Sequence, residues 1–387
     1  MITGFSATRL ILTLLMAFAT SSALAGPRAR ELGIPFDGKP GPLNAITDVA
    51  GVTVGHTTLI EDLANGHKVR TGVTAILPRG RADLRTPAFG GWFSLNGNGE
   101  MTGTTWLDES GLLDGPVMLT NTHSVGTVRD AVIAWRIRQG RPDRYGYWWS
   151  LPVVAETWDG HLNDINGFHV KAEDSDAALD AAATGPVAEG NVGGGTGMIC
   201  HEFKCGIGTA SRRVAIDGRP LIVGALVQAN YGLRESLKVA GVPVGQHLRE
   251  HRAYQDQARE TGSIIIVIAT DAPLLPHQLK RLARRAGMGL ARMGSYAGDG
   301  SGDIFIAFST ANSKPLSDGS FARAEYIENG RLDPIFEATV QATEEAIVNA
   351  MVAASDMKGE DGHYAIALPH AELVKLLERY GRLNTPR

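Results

Sequence analysis

The chain has 387 residues, 43% of them hydrophobic and 20% charged, with a formal net charge of −4. That apolar content is enough for a sizeable core and excludes intrinsic disorder, while the slight acidic excess argues against nucleic acid or an anionic membrane as the main partner. Two cysteines cannot form a disulfide framework. The 47 glycines exceed the usual share of about 7% without any collagen-like period, so many positions need positive φ or close backbone approach.

In chain order, Arg9 precedes an apolar run, Leu10–Ala19, and small residues ending at Ala23-Leu24-Ala25. A basic start, a short apolar stretch and an A-x-A site are the layout of a secretory signal peptide, and the run is too short to span a bilayer. Residues 1–25 therefore read as a leader, with an exported, periplasmic mature chain from Gly26. Gly51–Gly55, Gly72–Pro78, Pro116–Leu119 and Leu221–Gln228 read as strands, and Thr127–Gln139 as a helix. Ser263–Thr270 (SIIIVIAT) has no polar alternation, which predicts a strand covered on both faces. A helix over Pro276–Ala286 ended by Gly287, a strand over Asp303–Thr310, a helix over Leu332–Ala353, a strand over Tyr364–Leu368 and a helix over Pro369–Tyr380 follow. Strands and helices alternate without internal repeats, which predicts an α/β layered sandwich. Val244–Gly262 breaks the pattern, being polar, charged with both signs and without an apolar stripe.

Four sites compete for the chemistry. The glycine-rich stretches Gly193–Gly197 and Gly298–Gly302 lack the Lys-Ser/Thr ending of a phosphate loop, and Arg292 occupies the third glycine position after Gly287 and Gly289. His247, Glu250 and His251 match an H-x-x-E-H zinc-peptidase pattern, with Cys200, His201 and Glu202 as further donors, but in a uniformly polar segment. Thr122–Gly126 (THSVG) stands between a strand and a helix like a nucleophile elbow, with Thr122 where a small residue is required. At Gly262-Ser263, a polar segment, a glycine and a hydroxyl residue open the most hydrophobic strand. Attack of the Ser263 hydroxyl on the preceding carbonyl and hydrolysis of the ester would leave Ser263 as a new chain start. Its α-amine, with an ordinary pKa of about 7.7–8.0, could then act as base beside its own hydroxyl.

Gly262–Leu274 (GSIIIVIATDAPL) and Gly300–Thr310 (GSGDIFIAFST), supported by Thr120–Gly126, Glu156–Gly160, Gly193–Gly197 and Gln228–Tyr231, resemble the self-processing L-aminopeptidase/D-alanyl esterase-amidase and β-peptidyl aminopeptidase family. The resemblance runs from about Ile34 to the C-terminal helix. It implies a four-layer α-β-β-α sandwich of the N-terminal nucleophile type, built jointly from fragments 26–262 and 263–387, with 244–262 as the processing linker, and assembled as a homo-oligomer. By the same resemblance Gly262-Ser263 is the cleavage site, Ser263 the nucleophile and Asn230 the oxyanion donor. Ser301 and Asp303 position the Ser263 hydroxyl and amine, Glu156 pairs with the substrate ammonium, and Trp158 walls the pocket. Relatives often carry tyrosine at the Trp158 position, and some carry glutamate at the Asp303 position.

No cofactor or metal is implied. The expected partners are short peptides, amino-acid amides or esters of L-Ala/Gly or D-Ala type, with β-amino acids a further option. A zinc peptidase and a non-enzymatic periplasmic binding protein are the rival readings. Cys200 and Cys205 could form a disulfide after export or pack as small hydrophobes, and packing is the preferred reading.

Overall fold

The computed structural model describes residues 26–140, 149–254, 262–312 and 321–384. The expected leader and residues 255–261 of the polar segment lie outside the described residues. Strands β1 (Thr53–Asp62) and β2 (Lys68–Leu77) form a hairpin, followed by β3 (Ala88–Ser94), α1 (Thr104–Ser110), β4 (Leu112–Leu113) and β5 (Val117–Asn121). Next come α2 (Val125–Arg138), β6 (Val153–Thr157), α3 (Ala172–Asp180), and the short β7 (Ile199–Cys200) and β8 (Phe203–Lys204). The long β9 (Ile207–Ile216) and β10 (Arg219–Asn230) precede one helical turn, α4 (Val244–His247), then β11 (Ser263–Thr270), α5 (Pro276–Arg292) and β12 (Gly302–Ser309). The chain closes with α6 (Asp333–Val352), β13 (Met357–Lys358), β14 (Tyr364–Ala365) and α7 (His370–Arg379).

Two sheets carry the fold: a four-stranded one in the order β1-β2-β5-β6 and a six-stranded one in the order β4-β3-β12-β11-β10-β9. The parallel pairs β5/β6 and β11/β12 are joined through α2 and α5, since parallel neighbours need a crossover. Alternation along β11 sets the layers. Ile265, Val267 and Ala269 pack with Ile76, Leu119 and Ala155 of the smaller sheet. Ile264, Ile266 and Ile268 face the other way, onto Leu279, Leu282 and Ala286 of α5 and Ala346 and Ile347 of α6. The far face of the small sheet (Val73, Ala75, Met118, Val154) is covered by Val128, Val132 and Trp135 of α2 and Leu179 of α3. The order is helix–sheet–sheet–helix, the four-layer sandwich expected. All eight residues of β11 are buried, and burying one isoleucine side chain is worth about 1.5–3 kcal/mol, so this strand is a rigid platform for its first residue.

Several boundaries differ from expectation. The helix predicted to end at Gly287 runs on to Arg292. Gly289 is a packing residue there: a Cβ would lie 2.6 Å from Thr343 Cβ and 2.7 Å from the Val340 carbonyl, so the glycine lets α5 approach α6. The strand expected over Tyr364–Leu368 is reduced to a two-residue pairing with β13. Strand β1 starts at Thr53 and extends to Asp62, its second half exposed or half-buried. The cysteines, read as packed thiols, form a Cys200–Cys205 disulfide. The tight β7–β8 hairpin brings their Cα atoms to 5.4 Å, a distance that spacing in the sequence does not reveal. Among the described residues, no helix is long and apolar enough to cross a membrane.

Candidate active site

Antiparallel pairing sets Asn230, the last residue of β10, opposite Ser263, the first of β11, and parallel pairing sets Ser263 beside Gly302. Ser263 is 6% exposed, and its Oγ accepts the Gly302 N–H at 3.1 Å. At Gly262 there is no room for a side chain. A Cβ would lie 2.3 Å from the Asn230 carbonyl oxygen and 2.4 Å from Tyr231 Cα, so only glycine lets the chain enter β11 here.

The orientation of the Asn230 amide follows from its partners. Oδ1 accepts the Ile199 N–H at 2.9 Å, and Nδ2 donates to the Trp158 carbonyl at 2.8 Å. An amide nitrogen carries two N–H groups, so one remains for another acceptor. Two residues earlier on the same face, the Gln228 Nε2 amide donates to Thr120 O and Thr157 Oγ1, both at 2.8 Å. Together these bonds tie the end of β10 to the ends of β5 and β6 and bring Glu156 and Trp158 to the same end of the sandwich.

Glu156 is 3% exposed; Oε1 accepts the Glu100 N–H at 2.9 Å and Oε2 accepts the Thr122 hydroxyl. Burial pushes its carboxyl above the usual range, and these two bonds oppose that rise. A Cβ on Gly99 would lie 3.4 Å from Glu156 Oε1 and 3.2 Å from Gly302 Cα, so the carboxylate borders the loop that serves Ser263. Trp158 is exposed at 46%, a surface wall rather than a core side chain. Beside it, Asp159 is fully enclosed, accepts from Asn163 Nδ2 at 3.0 Å and is pushed by burial up to about 7.

Ser301 and Asp303 are both buried, their side chains joined at 2.8 Å. The Ser301 hydroxyl also reaches the Gly262 carbonyl, and the Ser263 hydroxyl is held instead by the Gly302 backbone. Behind them stands a residue the sequence did not single out. Asn96 accepts the Asp303 N–H at 2.5 Å and donates to Asp303 Oδ2 at 3.1 Å and to Gly298 O at 3.2 Å. Its neighbour Asn98 donates to Gly300 O at 2.8 Å. The Asn-Gly-Asn-Gly run at Asn96–Gly99 has turn-forming composition, but only folding sets it against Gly298–Asp303.

The competing motifs are absorbed elsewhere. The α4 turn ends at His247, whose Nε2 lies 2.9 Å from the Tyr380 hydroxyl, and His251 has a left-handed φ of +54°, so the two histidines share no helix face. Among the described residues, the convergent metal-type donors are instead His67, Asp164 and Glu360. There His67 Nδ1 lies 2.5 Å from Glu360 Oε1, the spacing of an ion pair. Ser124 is buried in the turn before α2, its N–H accepted by Asn121 Oδ1, which makes THSVG a helix entry. At Gly194 a Cβ would lie 2.2 Å from Gln228 Oε1, so this glycine packs against the end of β10, while Gly193 and Gly195 press on Thr74 and Ile207.

Two packed sheets between outer helix layers, with a serine opening a central strand of the larger sheet, are the arrangement of N-terminal-nucleophile-type hydrolases. Comparison with solved structures agrees. The L-aminopeptidase D-Ala-esterase/amidase from Ochrobactrum anthropi, described as a variant of that fold, superposes with a TM-score of 0.87 at 51% identity over 92% of this chain and 99% of that one. A Burkholderia β-aminopeptidase superposes with a TM-score of 0.84 at 50% identity, over 92% and 99%. In sequence, the β-peptidyl aminopeptidase BapA of Sphingosinicella microcystinivorans is 55% identical over 385 residues, covering 95% of this chain and 96% of that protein. The model of peptidase family S58 matches residues 44–365. The chain belongs to family S58 and is a hydrolase of the aminopeptidase class.

Proposed function

We propose that the protein is an exported serine aminopeptidase that matures by cleaving its own Gly262–Ser263 bond and then releases N-terminal residues from short peptides, amides or esters. The observation that carries this reading is the register placing Asn230, Ser263 and Gly302 side by side, with the Ser301 hydroxyl on the Gly262 carbonyl. Attack by the Ser263 Oγ on that carbonyl, with Ser301 stabilising the developing negative charge, moves the acyl group from nitrogen to oxygen. Water then frees residues 26–262 and leaves the Ser263 α-amine as base for the same hydroxyl. In turnover Ser263 forms the acyl-enzyme and Asn230 Nδ2 donates to the oxyanion, while Glu156 receives the substrate ammonium and Trp158 borders it. The names of the relatives support L-, D-Ala or β-amino-acyl substrates, and a panel of the corresponding p-nitroanilides and amides ranks them. The exported, periplasmic location and the homo-oligomer of processed pairs belong to the same proposal.

Denaturing electrophoresis with N-terminal sequencing tests it: active enzyme gives two unequal fragments, the smaller starting Ser-Ile-Ile-Ile. Activity in a single uncut band sinks the reading. Gly262→Ala is expected to slow cleavage severely, because the added methyl meets the backbone of Asn230 and Tyr231; a normal rate of fragment appearance contradicts this.

Glu156→Gln keeps the shape but removes the charge. KM for free-amine substrates is expected to rise by about tenfold or more, the weight of a charge-assisted hydrogen bond of about 1.5–3 kcal/mol. The pH profile adds a second test. The carboxylate must be ionised to hold an ammonium group, and burial raises its pKa. Binding should therefore weaken, as pH falls, at a pH above that of an ordinary carboxylate, and this limb should vanish in Glu156→Gln.

A further inference from the structure

The hairpin β7–β8 holds both unusual backbone and the protein's two cysteines. Its turn residues, His201 and Glu202, have φ of +48° and +62°. A two-residue hairpin turn with both central residues left-handed ordinarily uses Asn-Gly, and side chains as large as these are unfavourable there. The surrounding structure overrides the preference. Arg234 donates to the His201 carbonyl at 2.9 Å and to the Glu202 carbonyl at 2.7 Å, and Arg252 pairs with the Glu202 carboxylate at 2.6 and 2.8 Å. The buried Lys204 Nζ donates to Met198 O at 2.8 Å and Cys205 O at 2.6 Å, and the Cys200–Cys205 bond closes the strands. What this bracing holds in place is the Ile199 N–H, which fixes Asn230 Oδ1. The hairpin also grips β10 just beyond that point, through the His201 N–H on Tyr231 O at 2.7 Å.

We propose that the disulfide-closed β7–β8 hairpin is the positioning element of the Asn230 amide, so that the Cys200–Cys205 bond sets kcat rather than substrate affinity. This rests on Asn230 being the oxyanion donor. With one end of the amide held by Ile199 and one N–H held by Trp158, the direction of the other N–H is fixed. Opening the hairpin lets the turn relax toward ordinary φ values, moves Ile199 and swings that donor off the oxyanion.

The test is a mutant cycle on cleaved enzyme, with an amino-acyl p-nitroanilide as substrate and rates expressed per cleaved chain. Cys200→Ala/Cys205→Ala is expected to lower kcat by about tenfold or more, part of the roughly 10²–10³ that a lost oxyanion donor costs, with KM within about twofold. In an Asn230→Ala background the same pair of changes is expected to have no further effect on kcat, because the donor it aims is already gone. An unchanged kcat in the cysteine variant, or the same loss in both backgrounds, overturns the proposal. Should Asn230→Ala itself keep full kcat, the oxyanion reading fails instead, and the two failures are told apart. If the cysteine variant does not accumulate as cleaved enzyme, cleaved enzyme with the native cysteines is reduced, the opened bond confirmed by alkylation and mass spectrometry, and run through the same cycle with the same criteria.

Discussion

Ser263→Ala is expected to yield a single chain that is never cut and never turns over substrate. The change removes one oxygen from a side chain that is 6% exposed and whose Oγ takes part in a single described hydrogen bond, from the Gly302 N–H. The β11 register is carried by backbone pairing to β10 and β12 and by Ile264–Ile268, so the fold should survive. A stable variant without activity would separate chemistry from structure. Losing a nucleophile costs on the order of 10⁶ in turnover in a serine hydrolase whose acyl transfer depends on it. Mass spectrometry of the purified chain and a p-nitroanilide assay check both halves. A cut Ser263→Ala chain means that another group or another protease makes the break, and residual activity means that another nucleophile carries the acyl group.

Asn230→Ala is expected to lower kcat by about 10²–10³ with little change in KM, since an oxyanion donor acts on charge that exists only in the transition state. Here the side chain has a second duty. Its removal leaves the buried Ile199 N–H and the partly buried Trp158 carbonyl without their partner, a destabilisation of about 1–3 kcal/mol that should appear as a lower Tm. Asn230→Asp separates the two duties. It retains an acceptor for Ile199 but has no N–H to give, so kcat should fall as far as in the alanine variant while the Ile199 contact is kept. A kcat that recovers in Asn230→Asp would show that Asn230 matters by packing rather than by donating.

The start of β11 was legible in the sequence because two local signals coincide there. An unbroken β-branched run requires burial on both faces, and Gly262-Ser263 marks its edge after a polar segment. The structure sets the strand at Ser263–Thr270, the bounds the run predicted. Residue-level patterns misled where packing overrode them. Gly287 is a local helix breaker, but one glycine costs a helix interior only about 1 kcal/mol, and α5 passes through it to Gly289, where α6 presses close. The H-x-x-E-H match failed because its two histidines require a continuous helix, and the α4 turn stops at the first of them. Asn96 could not have been chosen, since its importance lies wholly in contacts with residues some two hundred positions away.

By itself the sequence determined the composition of the core, the alternation of strands and helices, and the residue that opens the central strand, because burial and period are local properties of the chain. Only the tertiary structure decided what surrounds that residue. Sheet register, a non-local pairing, sets Asn230 and Gly302 against Ser263 and directs Ser301 to the Gly262 carbonyl. The β3/β12 pairing likewise brings Asn96 behind Asp303, the β7–β8 turn joins the two cysteines, and neither proximity is encoded in spacing along the chain.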